Sequence, residues 1–450
     1  MGSARGIVAG VLATGLLALT PTQTATAHRT PPGDPSVITQ WNQIGVATIA
    51  ADNVAVPPAA PRKQGIEVYL YLAFMHTAMY NAVVGIEGGY RPYHFDARAP
   101  RHASSQAAAV AAAHRVLVTY SPEQQATLDT AYATSLAAIP DGEAKTRGLA
   151  YGELAAATLV AQRAHDGRNA PILFTKTPAP GTWRPTPPTM TPFSAPWLGY
   201  VTPLALRRGA QFDPGPAPAL TSRRYTRDFL EVKSLGRLDS TTRTEAMTET
   251  ARFYAGNPVV QFTLGLVDQA QSRHLDLVES ARLFAAVHMS LADASIAVWW
   301  TKHHYGIWRP ITAVRLADTD GNPGTSAELD WTPSVIPTPP YPDYVSAYNG
   351  VMGAYTRALQ DTLGTRHLAL TLTSTMFPAP DSRHTRFYDT GGEARQEVID
   401  ARVWLGLHFR FADTAGARMG QRVATYTLGH NFQAVDDDDD HHGHHGHHRR

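Results

Sequence analysis

The 450-residue chain predicts an all-α fold, a large helical bundle whose two halves are joined by a proline-rich strap. Three observations carry that expectation. Apolar residues recur at helical spacing through an alanine-rich block (66–167) and again through 225–429, and no alternating strand pattern recurs. Between Pro171 and Leu220 lie twelve of the 33 prolines, a density that forbids a continuous helix or a central strand. At 43% hydrophobic and 17% charged, the chain can bury a large core, which excludes disorder of the whole.

The first 27 residues pair a basic start at Arg5 with an apolar stretch from Ile7 to Leu19 and an A-T-A ending before His28. That order reads as a secretory signal peptide, and the apolar stretch falls short of the ~20 residues a membrane span needs. A secreted, extracellular protein without a membrane span is expected, with residues 28–435 as a single helical domain. The chain has no cysteine, so neither disulfides nor thiolate-metal chemistry is available to it.

The helices of the first half are VYLYLAFMHTAMYNAVV, SSQAAAVAAAHRVLVTY and SPEQQATLDTAYATSLAAI. The last opens with a cap at Ser121, a first-turn proline at Pro122 and a capping-box partner at Gln124. The strap (171–220) carries Trp183, Phe193, Trp197, Leu198 and Tyr200, which a free linker has no use for, so it is expected to lie packed on the surface. The second half (225–429) is broken by a loop from Leu316 to Tyr344. Its DTDG lacks the later ligands of a calcium loop and reads as a turn. Residues 436–450, DDDDDHHGHHGHHRR, cannot bury apolar surface and read as a disordered tail, whose six histidines hold no fixed metal geometry.

Lysine and arginine number 39 against 38 acids, and the net charge of +1 gives no reason to expect nucleic acid as a partner. Any cationic site must be local. The apolar run LADASIAVWW (Leu291 to Trp300) leads straight into KHHYGIWRP (Lys302 to Pro310). If Ala292 to Trp308 is helical, Lys302 and Arg309 fall about 20° apart around the axis, with Pro310 forcing Arg309 to the exit. A compact ammonium and a planar guanidinium so placed suit one oxyanion, although cations at a helix end ordinarily serve the terminal carbonyls. A second such run, ARVWLGLHFRFAD (Ala401 to Asp413), carries Arg402 and His408.

Lysine, six residues, then Arg-Pro, followed by an arginine, glycine and histidine at the spacing of ARVWLGLHFRFAD, resembles the superfamily of vanadium-dependent haloperoxidases, type 2 phosphatidic acid phosphatases and bacterial acid phosphatases. HTAMYNAV, GTWRPTPP, PWLGYVTPLAL and ADTDGNP are similar to the secreted haloperoxidase-like branch. The resemblance implies a helical bundle of that type holding vanadate or phosphate. It implies that Lys302, Arg309 and Arg402 contact the anion's oxygens. His408 would be the axial vanadium ligand, or in a phosphatase the phosphorylated nucleophile.

The superfamily's middle motif, P-S-G-H, aligns with Val345, Ser346, Ala347 and Tyr348. Ser346 offers its hydroxyl to the anion and Ala347 its backbone N–H, while Tyr348 stands in the place of a catalytic histidine with a phenol of reference pKa about 10. His303 and His304 are candidates to substitute, although helical geometry turns them from the face of Lys302. The family aspartate, four residues after its histidine, meets Ala412, with Asp413 about 100° further round, so another carboxylate is expected to orient His408. Asp293 is a candidate to brace an arginine. Three readings follow: a haloperoxidase acting on a small-molecule substrate, a phosphomonoesterase with a histidine nucleophile, and an oxyanion-binding protein without turnover.

Overall fold

The computed structural model describes residues 34–54, 63 and 65–435; the signal-peptide and acidic-tail expectations lie outside the described residues. Helices α1 (Ser36–Val54), α2 (Val68–Glu87), α3 (Ser105–Tyr120), α4 (Gln125–Ala137) and α5 (Glu143–Gln162) precede the strap. After it come α6 (Arg223–Leu235), α7 (Glu245–Phe253), α8 (Pro258–Ser272), α9 (Leu277–Tyr305), α10 (Pro310–Arg315) and α11 (Ala347–Leu363), then α12 (Gly391–Trp404) and α13 (Arg410–His430). The bundle class read from the sequence is the one observed.

α9 is the axis of the molecule, 29 residues and about 44 Å long. Asp276 and Glu279 form a capping box at its start, and Gly306, at φ 64°, ends it in the left-handed region open to glycine. It packs on α2 along one side and on α11 and α13 along the other, so both halves share one core helix. Its length and hydropathy would suit a membrane span, yet 94% of its most apolar stretch is buried inside the protein, which makes it a core element. In the first half the alanines let backbones approach. Gly148 and Gly152 of α5 lie directly against the Ser104 and Ala108 backbones, while the Ser104 hydroxyl caps α3 by accepting from Ala107 N–H.

Four expectations are corrected. Ser121 does not cap the helix after it; its hydroxyl accepts from Lys63 Nζ at 2.6 Å, and Pro122–Gln124 forms a 3₁₀ turn before α4. The continuous helix expected over Ala292 to Trp308 stops at Tyr305, and Arg309 is the extended N-cap residue of α10. An antiparallel hairpin, β1 (His367–Thr373) with β2 (Thr385–Thr390), interrupts the all-helical pattern. β1, HLALTLT, does alternate, burying Leu368, Leu370 and Leu372 against α8, but a single seven-residue alternation is a weak signal beside so many helices. Asp293 accepts no arginine hydrogen bond among the described residues. Its carboxylate takes the backbone N–H groups of Leu204, Ala205 and Leu206 at 2.7–2.8 Å, because a strap without its own ladder needs acceptors for its amides.

The strap is packed. Trp183, Phe193 and Leu198 are buried, Trp197 is half-buried, and Tyr200 is exposed with its hydroxyl on His303 Nδ1. Trp183 N–H donates to Gly306 and Trp308 N–H donates to Gly181, pinning the strap across the end of α9. In the loop after α10, Asp320 accepts from Asn322 N–H and the Thr325 hydroxyl, the turn expected of DTDG.

Between α1, α2 and α9 two fully buried histidines share one acceptor: the Nε2 atoms of His76 and His288 lie 2.9 and 3.0 Å from Asn42 Oδ1. Both Nδ1 atoms are buried without a partner among the described residues, so a second proton finds no acceptor there. Burial pushes His76 well below the usual range and His288 down to about 3. The unfolded chain protonates these imidazoles below about pH 6.5 and the folded chain does not, so their contribution to stability is full above pH 6.5 and is lost as pH falls toward 3. The stability gap between the wild type and His288→Gln is therefore expected to narrow by about 1.4 kcal/mol per pH unit below 6.5. Urea unfolding at successive pH values checks this, and a constant gap would show that His288 is not neutral in the folded state.

Candidate active site: a buried cationic cradle

The cradle forms where the C-terminus of α9, the N-cap of α10, the N-terminus of α11, the end of α12 and the turn into α13 meet. Lys302 and Arg309 are fully buried and Arg402 is 7% exposed. Lys302 Nζ donates to the carbonyls of Pro342 (2.6 Å) and Asp343 (2.9 Å). Arg309 is held by the carbonyls of Tyr341 (Nε, 2.8 Å), Leu407 (Nη1, 2.8 Å) and Pro339 (Nη2, 3.3 Å). Both cations lie within 5 Å of the Tyr341 ring centre, at 4.9 and 4.8 Å, so the two residues converge although no single helix carries them.

His408 faces this pair. Its Nε2 lies 3.2 Å from Arg309 Nη1, and its Nδ1 lies 2.7 Å from Asp343 Oδ1. Asp343 is thus the orienting carboxylate for which the sequence offers no local candidate. An ionised Asp343 accepts Nδ1–H and leaves the lone pair on Nε2, the tautomer a ligand or nucleophile requires. Burial first, then Arg309, Lys302 and Arg402, hold His408 well below the usual histidine range. Asp343 is pushed up to about 7 by burial, with Arg309 and Lys302 opposing.

Arg402 gives Nη1 to the Tyr254 carbonyl (3.2 Å), lies over the Tyr348 ring at 5.2 Å, and keeps Nε buried with no partner among the described residues. Burial lowers Lys302, Arg309 and Arg402 alike. Clustered cations without solvent repel one another, and an anion among them relieves that repulsion.

Ser346 is the N-cap residue of α11, fully buried, with its N–H on the Ala412 carbonyl. Ala347 begins the helix, so its N–H belongs to the first turn, which has no intrahelical acceptor. Tyr348 is brought to the cradle by its ring, while its hydroxyl donates to Gln261 Oε1, and burial raises its pKa strongly. His303 turns to Tyr200 and the Leu173 carbonyl, and His304 stacks on Trp300; neither contacts the cradle.

The helix expected to carry both His408 and Asp413 breaks between Trp404 and Arg410, and Asp413, in the first turn of α13, is part of the site. Asn349 Nδ2 donates to its Oδ1 at 2.7 Å, and burial pushes its pKa well up, against the opposing hydrogen bonds of Ser346 and Asn349. The second oxygens of Asp343 and Asp413 are buried without partners among the described residues. Sequence reasoning missed Asp343, Tyr341 and Asn349. Asp343 left one trace, a lone carboxylate in the proline- and tyrosine-rich PPYPDYV just before Ser346.

Residues 282–437 match the family described as the VCPO second helical-bundle domain, and this span contains Lys302, Arg309, Ser346, Arg402 and His408. The vanadium chloroperoxidase of Curvularia inaequalis is 28% identical over 179 residues, covering 31% of this chain. The chain spans only 29% of that curated relative's length. Among solved structures, the first bacterial vanadium-dependent iodoperoxidase superposes with TM-score 0.74 at 20% identity, covering 91% of this chain and 99% of that one. An apo-type bacterial vanadium-dependent chloroperoxidase superposes with TM-score 0.66 at 17% identity, covering 85% and 97%. Those two superpositions establish the shared fold, and residues 282–437, the stretch that matches the VCPO second helical-bundle domain, carry the whole cradle.

Proposed function

We propose that the protein is a secreted haloperoxidase-type enzyme that binds vanadate in the cradle and carries out peroxide-dependent halide oxidation or a related oxygen transfer to a small molecule. The observation that carries this is the convergence of Lys302, Arg309, Arg402 and the Nε2 of His408 in one water-excluded site. The donor set fits the group. Arg402 Nε and the first-turn amides of α11 lack protein acceptors, and the partnerless oxygens of Asp343 and Asp413 suit the hydroxyls of a partly protonated vanadate. Bound there, vanadate supplies a Lewis-acidic centre at which peroxide becomes electrophilic toward halide.

The protein's own part is electrostatic and orienting. Lys302, Arg309 and Arg402 balance the oxyanion's charge, and their grip on backbone carbonyls fixes them before anything binds, so little reorganisation is needed. Asp343 holds the His408 ring in the ligating tautomer. Proton handling differs from that of a motif histidine, because the Tyr348 hydroxyl is committed to Gln261. That commitment also favours a second reading, oxyanion binding without turnover.

The test is to titrate the protein with orthovanadate and assay iodide and bromide oxidation with peroxide, in wild type and His408→Ala. Binding with turnover in the wild type only is expected. Binding without turnover would support the second reading, and a phosphohistidine trapped at His408 with aryl phosphate hydrolysis would replace both.

A further inference from the structure

On the surface beside the cradle, two depressions of about 580 and 270 Å³ share Arg224, Phe411 and Arg418. The larger also takes in Arg223, Arg227 and Arg410, and the smaller Arg422. In a chain of net charge +1, six arginines around one concavity form a concentration of charge that the cradle does not use. The guanidiniums differ in how they are satisfied. Arg227 pairs with Asp228, and Arg410 with Glu231 and Asp400. Arg422 lies over the Phe212 ring at 4.7 Å. Arg223, Arg224 and Arg418, all exposed, have no carboxylate partner among the described residues. Asp213 on the neighbouring loop accepts from the Tyr305 hydroxyl instead.

The floor is apolar. Phe411 and Tyr344 are buried with ring centres 6.0 Å apart, Phe411 stacks on Phe409 at 5.1 Å, and Phe212, Pro214 and Met419 complete the wall. A merely solvated cationic face has no need of an aromatic floor, and an apolar cleft has no need of a rim of arginines. Together they select a ligand with a flat or apolar body carrying acidic groups at its ends, since guanidiniums fork onto carboxylate, sulfate or phosphate oxygens while the body covers the rings. The α6 and α13 N-termini, which begin at Arg223 and Arg410, add a smaller attraction of the same sign.

We infer that this groove between α6 and α13 is a binding site for a small organic dianion with an aromatic or apolar body, separate from the oxyanion cradle. Tyr344 of its floor follows Asp343 in the chain, and Phe411 stacks on Phe409, the residue after His408, so the groove backs onto the cradle through these rings.

The test uses naphthalene-1,5-disulfonate as the probe, with calorimetry on the full-length protein in about 0.15 M salt, where loose surface attraction is largely screened. One-to-one binding that survives saturating orthovanadate is expected, weakened at least tenfold in Arg224→Ala/Arg418→Ala. Both side chains are exposed, and an unchanged melting temperature verifies the fold of the variant. Naphthalene-1,5-diol is expected to bind at least tenfold more weakly, and sodium sulfate at the probe's concentration not to displace it. No binding, equal binding by the double variant, displacement by sulfate, displacement by orthovanadate, or equal affinity for the diol would each overturn the proposal.

Discussion

Orthovanadate binding by Arg402→Ala is expected to fall by about two to three orders of magnitude, the ~3–4 kcal/mol typical of truncating one partner of a buried, charge-assisted hydrogen bond. Arg402 is the informative cation because it is the one least tied to the fold. Arg309 supports three backbone carbonyls and Lys302 two, so their removal would also disturb the loop from Pro339 to Asp343. Among the described residues Arg402 supports the Tyr254 carbonyl alone, and its Nε has no partner there. Calorimetric titration beside a melting curve separates the two effects. Unchanged affinity in a stable variant would mean that the oxyanion sits elsewhere, and a matching loss in stability would reduce Arg402 to a packing role.

Gly420→Ala is expected to cost about 3 kcal/mol or more in stability. Where α13 crosses α11, a Cβ at position 420 would fall inside the van der Waals envelope of the Gly350 carbonyl oxygen, and one at 353 would meet the Ala417 carbonyl. Backbone cannot rotate aside as a flexible side chain can, so the helices must part. Gly416 similarly rests against the Ser346 carbonyl, so parting would also draw Ser346 away from Asp413 and Ala412. Chemical denaturation measures the first effect and orthovanadate affinity the second. A loss below 1 kcal/mol would show that the crossing is loose enough to admit a methyl group.

The bundle was legible because its signals are repetitive: periodicity over many turns, and prolines dense enough to exclude any regular element. Lys302, Arg309, Arg402 and His408 were legible because ionisable groups inside apolar runs are expensive unless something binds them. Asp343 was not, because its function arises from its hydrogen bond with His408 across 65 residues, which no local spacing encodes. Asp413 was misjudged for a related reason. No helix runs from His408 to Asp413, since α12 ends at Trp404 and α13 begins at Arg410, and the side chain is enlisted by α11 through Asn349. The Ser121 cap failed because Lys63 competes for the same hydroxyl from 58 residues away.

The strap touches α9 at Asp293 and again at Gly306, about 20 Å along the helix axis. Peeling it away would strip the buried Asp293 carboxylate of its three donors and leave it among the apolar side chains of α9. The belt and the spine beneath it are therefore a single cooperative unit, and a protease should find no partly opened form in which the one is cut while the other stays whole.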